Sequence, residues 1–162
     1  MVAMAAVLAA TPCIAAELPS VGNLPPAITL PNTDGHIVNL SDFHGKPVIV
    51  TFFVSWSDAC REQLGALNEL ALRYPRSIGI VAVSLDKKVK GLKELVAGLK
   101  LGFSPLIDKK LTSLNDYSVL TLPTTFTIGA DGRIKGVFVD FDDNVKRSLS
   151  DFARSQISPT EP

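Results

Sequence analysis

The most constraining feature of this chain is an unbroken run of apolar, β-branched and aromatic residues at positions 48–54, VIVTFFV. A run of this composition is typical of a central strand that is buried on both faces. Ser57 follows it at a position suited to a helix N-cap. Apolar residues then recur at helical spacing, at Cys60, Leu64, Leu67 and Ala71. The sequence therefore predicts a buried strand that leads directly into a helix.

A second strand and a second helix follow the same plan. Residues 78–85 form another apolar run, and Asp86 is predicted to begin a helix. The apolar stripe of that helix consists of Val89, Leu92, Val96 and Leu99. This alternation is the βαβ pattern in which the two strands lie parallel in one sheet.

Two further strands are predicted at 124–128 and 133–139, on either side of the turn Asp131-Gly132. Strands joined by a short turn pair antiparallel, so the sheet must be mixed. A last helix is indicated by three apolar residues on one face, Val145, Leu149 and Phe152. The expected fold is α/β, with helices flanking a mixed central sheet.

An N-terminal β-hairpin is predicted before the central strand. Asp34-Gly35 is a favoured tight-turn dipeptide, and it separates short strands at 28–30 and 36–40. No internal repeat or low-complexity linker interrupts the chain. The predicted organisation is a leader at 1–16, a lead-in loop at 17–26, one domain at 27–156 and a C-terminal tail at 157–162.

Composition narrows the range of partners. The 162 residues are 46% hydrophobic, which is enough to build one buried core. Lys and Arg together number 16, as do Asp and Glu, and no charged block occurs. Nucleic acids and anionic membranes are bound through basic patches, so this even charge argues against both as partners.

The first 16 residues resemble a secretory signal peptide. They are apolar and small, and Cys13-Ile14-Ala15 fits the small-x-small pattern that precedes a cleavage site. The segment lacks the usual basic residue at its front, and it is shorter than the roughly 20 residues of a membrane-spanning helix. We expect export, to a bacterial periplasm. The alternatives are a plain N-terminal extension in a cytoplasmic protein, and a lipoprotein acylated on Cys13, which Pro12 disfavours; only a retained or acylated leader would bring membrane contact.

The residues Trp56-Ser57-Asp58-Ala59-Cys60 lie between the central strand and its helix. Three other signatures occur in order along the chain: LSDFHGKP at 40–47, VSLD at 83–86, and LPTTF at 122–126 followed by GADG at 129–132. Together they resemble the thioredoxin-like superfamily, and in particular its exported TlpA/ResA-type branch of thiol-disulfide oxidoreductases, which is related to the redoxin or AhpC/TSA group. The resemblance covers residues 24–156.

This resemblance implies a thioredoxin-like fold and the place of its site. Pro123 matches a proline that the family holds cis and facing the motif. Trp56, Leu122 and Thr124 would then line the substrate groove. The implied partners are protein or small-molecule thiols and disulfides, with no cofactor and no metal.

The chain departs from the family at the residues that carry the chemistry. Ser57 stands in place of the first cysteine, so one thiol, Cys60, remains in the motif. Disulfide exchange needs one thiolate to attack and a second thiol to resolve the mixed disulfide. Gln63 replaces the glutamate of the ResA-like proteins, and Thr51 replaces the buried aspartate of thioredoxin. The two-cysteine exchange is therefore predicted to be lost, and Cys60 to be shielded and slow to react.

Two alternative functions use the same residues. Ser57-x-x-Cys60 has the spacing of a one-cysteine peroxiredoxin, in which Cys60 would attack peroxide; however, Phe53 stands where that motif has proline, and Arg61 is expected to be solvated. The other alternative is a binding or scaffold domain that keeps the groove between Trp56 and Pro123 without any redox chemistry.

Other reactions fit the residues poorly. Ser57 would need a base to act as a hydrolase nucleophile, and His36 and His44 are both expected to be solvated loop residues. A copper site draws on several Cys, His or Met ligands, and none accompany Cys60. Serine at position 57 also has a purely structural use, because an N-cap serine stabilises a helix by about 1 kcal/mol over alanine. Thr51 and Gln63 depart from the family as well, which favours natural divergence over an engineered replacement at position 57.

Overall fold

Residues 19–156 are described by a computed structural model of the chain. The strands in this range are β1 (Thr29–Pro31), β2 (Ile37–Asn39), β3 (Val48–Phe53), β4 (Gly79–Ser84), β5 (Leu106–Ile107), β6 (Thr124–Ile128) and β7 (Ile134–Val139). The α-helices are α1 (Asp58–Arg73), α2 (Val89–Leu99), α3 (Thr112–Asp116) and α4 (Asp143–Ser155), and a 3-10 helix covers Leu40–Phe43. The predicted leader and tail lie outside the described residues.

Five strands form one sheet in the order β5-β4-β3-β6-β7. The central strand β3 pairs parallel with β4 and antiparallel with β6, and β6 pairs antiparallel with β7. All six residues of β3 are buried, since apolar layers cover both faces of the strand. The predicted α/β fold with a mixed sheet is confirmed.

The smaller of two apolar clusters joins β3 to the helices α1 and α4. Ile49 from the strand packs with Leu67 and Leu70 of α1 and with Leu149 and Ala153 of α4. The larger cluster takes in most of the remaining core residues of the sheet, together with Leu64 of α1 and Leu92 of α2. The helical stripes read from the sequence are thus the faces that pack, although Leu70 is buried while Ala71 is only half-buried.

The predicted N-terminal hairpin is present as β1 and β2. The strands pair antiparallel with Leu30 opposite Val38. Gly35 in the turn has φ +89°, a conformation that L side chains rarely adopt. Asn32 organises the turn, because its Oδ1 accepts from the backbone N–H groups of Asp34 and His36.

The lead-in segment pairs with the start of β7. Gly22 donates its N–H to the Ile134 carbonyl oxygen at 2.9 Å, and the Ile134 N–H donates to the Asn23 carbonyl oxygen at 2.9 Å. Gly22 has φ +94°, which allows Gly22 and Asn23 together to lie opposite Ile134 in a bulge. Gly22 and Asn23 of the lead-in loop thus lie against the start of β7.

The prediction that Asp86 begins a helix is wrong. Helix α2 begins three residues later, at Val89, with Lys88 as its N-cap. The Asp86 carboxylate accepts hydrogen bonds from Ser55 and Ser84 instead. Ser84, at the end of β4, and Ser55 engage both carboxylate oxygens. This side chain is therefore not available to cap a helix.

Three short elements were not predicted: the 3-10 helix, β5 and α3. Each is too short to show an apolar period. Helix α3 depends on Asp108, which is buried and whose carboxylate accepts from the backbone N–H groups of Thr112 and Ser113 and from the Ser113 hydroxyl. A local cap of this kind leaves little trace in hydrophobic spacing.

No helix within residues 19–156 combines the length and the apolar character that crossing a bilayer requires.

Three aromatic rings pack together on one face of the sheet. The ring centroid of Tyr117 lies 5.0 Å from that of Phe52 and 5.0 Å from that of Phe126. The Tyr117 hydroxyl donates to the Pro26 carbonyl oxygen at 2.8 Å. This contact ties the lead-in segment to the core, and it satisfies a hydroxyl that burial has removed from water.

Replacing Tyr117→Phe should lower the free energy of unfolding by about 1–2 kcal/mol, because the half-buried Pro26 carbonyl loses its donor. Urea denaturation near neutral pH measures this change. Tyr74→Phe is the matched control, since the Tyr74 hydroxyl has no hydrogen bond to the described residues. The control should change stability by less than about 0.5 kcal/mol; equal effects of the two substitutions would refute the assignment.

The difference in stability between the unaltered protein and Tyr117→Phe should depend on pH in alkaline solution. Burial raises the pKa of the Tyr117 hydroxyl well above its ordinary value, and the nearby Asp116 charge acts in the same direction. The folded protein keeps a proton that the unfolded chain releases above about pH 10, so this stabilisation is complete below that pH and is lost as the pH rises. The stability advantage over Tyr117→Phe should therefore shrink as the pH rises above about 10.

Candidate functional site

The motif residues occupy the junction between β3 and α1. Ser57 is the N-cap of α1, with extended backbone angles of φ −89° and ψ 128°. Its Oγ accepts a long hydrogen bond of 3.4 Å from the Cys60 backbone N–H. Ser57 is half-buried. The serine therefore supplies a capping oxygen, which a cysteine at this position would not.

Cys60 is completely enclosed. Its exposed fraction is 0%, and it belongs to the larger apolar cluster together with Leu64, one turn further along α1. Its thiol is free, and Cys60 is the only cysteine among the described residues. A thiol packed in this way behaves as a small apolar side chain, and reagents reach it only when the structure opens.

Three buried polar side chains, Thr51, Gln63 and Thr125, lie on the same side of β3 as Cys60's helix. Thr51 Oγ1 donates to Gln63 Oε1 at 2.8 Å, and Gln63 Nε2 donates to Thr125 Oγ1 at 2.7 Å. The two threonine oxygens are 2.9 Å apart, so the Thr125 hydroxyl closes the ring by donating to Thr51. Every member of this ring has a partner, and none carries a charge.

The ring shows how Thr51 and Gln63, where the sequence resemblance implies acids, are satisfied as neutral groups. A carboxylate at either Thr51 or Gln63 would be buried, at a cost that only strong hydrogen bonds or a pKa shift could offset. The amide and hydroxyl groups satisfy one another without that cost. The ring cannot take part in acid–base catalysis, because it contains no group that accepts a proton near neutral pH.

A second buried cluster was missed in the sequence. Asp86 lies two residues after the end of β4 and is 7% exposed. Its Oδ2 accepts from the Ser55 N–H at 2.9 Å and from the Ser84 hydroxyl at 2.8 Å, and its Oδ1 accepts from the Ser55 hydroxyl at 3.0 Å. The VSLD signature contained Asp86 and Ser84, but nothing in the sequence paired them with Ser55, which is distant in the chain.

Arg61 and the two histidines take no part around the thiol. Arg61 is exposed, and its Nε donates to the Ser55 carbonyl oxygen at 2.8 Å. His36 lies in the hairpin and His44 follows the 3-10 helix; both are exposed. Within the described residues, Ser57 Oγ has one hydrogen-bond partner, the Cys60 N–H, so no base is positioned to activate it.

Pro123 lies at the same end of the sheet as the motif, because β3 and β6 pair with Phe52 opposite Thr124. The Leu122–Pro123 peptide bond is cis. The Pro123 carbonyl oxygen accepts from the Asp140 N–H at 2.8 Å. Among the residues expected to line the groove, Trp56 is 74% exposed, Leu122 is half-buried and Thr124 is buried with its hydroxyl donating to the Thr121 carbonyl oxygen.

Metal ligation finds no support in the part of the chain that the structure describes. Residues 19–156 contain no group of three or more His, Cys, Asp or Glu side chains arranged to hold an ion.

A family model for AhpC/TSA proteins matches residues 21–137, which is most of the described domain and includes the motif. The chain belongs to the AhpC/TSA family. Within this family, the similarities point to the thiol-disulfide branch. The thiol-disulfide oxidoreductase ResA of Geobacillus kaustophilus is 32% identical over 119 residues, covering 73% of this chain and 68% of the relative.

Two further comparisons agree. The thioredoxin-like protein YneN of Bacillus subtilis is 31% identical over 121 residues, covering 73% of this chain and 71% of the relative. A crystal structure from Chlorobium tepidum, described as a thiol:disulfide interchange protein DsbE, is 28% identical with a TM-score of 0.79, covering 85% of this chain and 98% of that one. This AhpC/TSA member is a thioredoxin-like protein of the TlpA/ResA type, and the peroxidase and scaffold alternatives are not favoured.

The enclosed position of Cys60 predicts slow alkylation. Iodoacetamide should react with Cys60 in the folded protein about 100-fold more slowly than in the urea-unfolded chain, because access requires a local opening that costs a few kcal/mol. Mass spectrometry of quenched samples gives both rates. The control is Glu62→Cys in a Cys60→Ala background, an exposed site on the same helix, where the two rates should agree within a few-fold. Equal folded and unfolded rates at Cys60 would show that the thiol is accessible.

Proposed function

We propose that this protein engages thiol- or disulfide-bearing proteins as a TlpA/ResA-type member of its family, but does not turn disulfides over by two-cysteine exchange on its own. The observation that carries the proposal is Ser57, which caps α1 at the place of the attacking cysteine while Cys60 is enclosed beneath it. Both halves of the reaction are affected.

The attacking step needs a sulfur at the surface. A thiolate at position 57 would bond to one sulfur of the substrate disulfide and release the other sulfur as a thiolate. The Ser57 hydroxyl cannot do this, because it has no activating base and an oxygen does not form the mixed disulfide. Cys60 has the sulfur but lacks access to a protein disulfide.

The resolving step would also lack a proton acceptor. If Cys60 were to form a mixed disulfide after an opening, no second thiol within the described residues could release it. The ring of Thr51, Gln63 and Thr125 contains no carboxylate to take up the thiol proton. The mixed disulfide would persist until an external thiol reduced it.

The protein nevertheless keeps features that suit recognition. Trp56 is exposed beside the motif, and the cis-Pro123 loop lies at the same end of the sheet. The names of the relatives describe enzymes and proteins of thiol-disulfide exchange, which supports protein thiols or disulfides as the partner class. Trp56, Leu122 and Thr124 are the proposed groove residues, with Pro123 as the backbone platform.

Insulin reduction by dithiothreitol tests the proposal. The unaltered protein should accelerate precipitation of the insulin chains no more than a Cys60→Ala variant does, because neither has a resolving pair. Ser57→Cys should restore a dithiol and raise the rate at least about 10-fold over the unaltered protein. The turbidity rise measures both.

The outcome that would contradict the proposal is turnover of insulin by the unaltered protein at a rate that Cys60→Ala abolishes. A Ser57→Cys variant that folds, forms its disulfide and still fails to reduce insulin would instead show that the groove no longer accepts this substrate. The disulfide of the variant is checked independently by mass spectrometry after alkylation.

We further propose that residues 1–16 direct export to the periplasm, on the basis of their small, apolar sequence and the Cys13-Ile14-Ala15 pattern. Expression of the full chain in a Gram-negative host should yield a periplasmic protein whose N-terminus begins shortly after Ala15. N-terminal sequencing of the fractionated protein is the measurement. Recovery of the uncleaved chain from the cytoplasm would refute export. A lipid-modified Cys13 in the membrane fraction would show that the leader is acylated and not cleaved after Ala15.

A further inference from the structure

We propose that Asp86 and Arg61 are positioning residues, which hold the peptide groups on either side of Ser55 and thereby set the place of residue 57 relative to Cys60. The inference rests on the proposed function in one respect: it treats residue 57 and Cys60 as the altered exchange pair. Neither Asp86 nor Arg61 forms a hydrogen bond to the thiol, so each would act through the backbone that precedes the motif.

The Asp86 side of this arrangement is buried and fully engaged. Its carboxylate accepts the Ser55 N–H at 2.9 Å and the Ser55 hydroxyl at 3.0 Å, and the Ser84 hydroxyl at 2.8 Å holds the carboxylate itself. Hydrogen bonds to a charged acceptor are about twice as strong as neutral ones. Ser55 is therefore held by Asp86 through both its N–H and its hydroxyl.

The Arg61 side holds the other end of the same residue. Arg61 Nε donates to the Ser55 carbonyl oxygen at 2.8 Å. Because Arg61 immediately follows Cys60 on α1, this bond connects the first turn of the helix to the backbone that leads into its cap. The Ser55 N–H and C=O are thus tied to two different elements, the end of β4 and the start of α1.

A third element, helix α2, approaches the Ser55 side chain at Gly91. A Cβ built on Gly91 of α2 would lie 3.1 Å from Ser55 Oγ, which is closer than most real contacts. Ser55 is 6% exposed. Glycine at position 91 thus leaves the Ser55 hydroxyl the room in which it bonds to Asp86.

The side-chain capping bond is weak, and the firmer local hold on residue 57 is its carbonyl oxygen, which accepts from the Arg61 backbone N–H at 3.0 Å. The length of the capping bond, 3.4 Å, exceeds the usual range for an N–H···O bond. Ser57 lies two residues after Ser55, so a rigid Ser55 leaves only Trp56 between the fixed backbone and the cap. Holding Ser55 in place therefore directs residue 57 toward Cys60 and presents Trp56 to solvent.

The effective concentration of two thiols at positions 57 and 60 measures this positioning directly. In Ser57→Cys, the protein dithiol reacts with glutathione disulfide to give the protein disulfide and two molecules of glutathione, so two electrons pass to glutathione. The equilibrium constant has units of concentration, and it falls when the backbone before position 57 becomes free to move. It requires neither a protein substrate nor turnover.

In this background, Asp86→Ala should lower the effective concentration at least about 10-fold, since Ser55 loses the acceptor for its N–H and its hydroxyl. Asp86→Asn should change it less than about 3-fold, because the amide oxygen can accept the Ser55 N–H while the amide nitrogen donates to the Ser55 hydroxyl. Arg61→Met should lower it about 3-fold or more. Rescue by the asparagine distinguishes a hydrogen-bonding role from a role of the charge.

Matched controls come from the chain itself. Asp108→Ala removes a buried carboxylate that also binds backbone N–H groups and a serine hydroxyl, but at α3. Arg73→Met removes an exposed arginine from the last turn of the same helix α1. Both controls should leave the effective concentration within 2-fold of Ser57→Cys, even where the free energy of unfolding falls.

If Asp86→Ala fails to fold, Ser55→Ala takes its place, with Ser113→Ala as its control, because each removes one hydroxyl bound to a buried carboxylate. Ser55→Ala should lower the effective concentration about 3-fold. The proposal is overturned if Arg61→Met and the Asp86-side variant both match their controls within 2-fold. Insulin turnover by the unaltered protein would overturn the proposed function and leave this result standing, so the two failures are separable.

Discussion

Burial of β3 on both faces is the constraint on which the rest of the structure depends. It allows helices to cover the sheet from either side, and it forces every polar group on the strand to find a partner within the protein. Thr51 meets that demand through Gln63 and Thr125. Ser55, just beyond the strand, meets it through Asp86 and Arg61. The candidate site lies between these two polar groups, at the junction of β3 and α1.

The arrangement at the motif separates architecture from chemistry. Ser57 caps the helix, Gln63 and Thr51 bond to each other in the core, and none of the three side chains carries a charge. This set of side chains costs the fold little, because every buried polar side-chain atom among residues 19–156 has a partner. It supplies neither the second thiol nor the proton acceptor on which two-cysteine disulfide exchange depends.

Much of the fold could be predicted because long apolar runs and helical stripes report burial directly, as in 48–54 and along α1. The hairpin was equally readable from Asp34-Gly35. By contrast, Asp86 was misassigned as the start of a helix, since an acid before an apolar stripe has the same appearance whether it caps a helix or binds a distant peptide group. Thr125 and Ser55 were missed for a related reason: their partners are far away in sequence, and no local pattern records such contacts.

The pairing of Gly22 and Asn23 with Ile134 has a consequence for solubility. β7 is an outer strand of the sheet, and an outer strand offers unpaired backbone groups to any other extended chain. The lead-in segment of the same molecule pairs with the first residue of this edge strand. Proteolytic removal of the chain up to Asn23 would expose the start of β7 and favour strand pairing between molecules. The lead-in segment therefore protects this edge from aggregation.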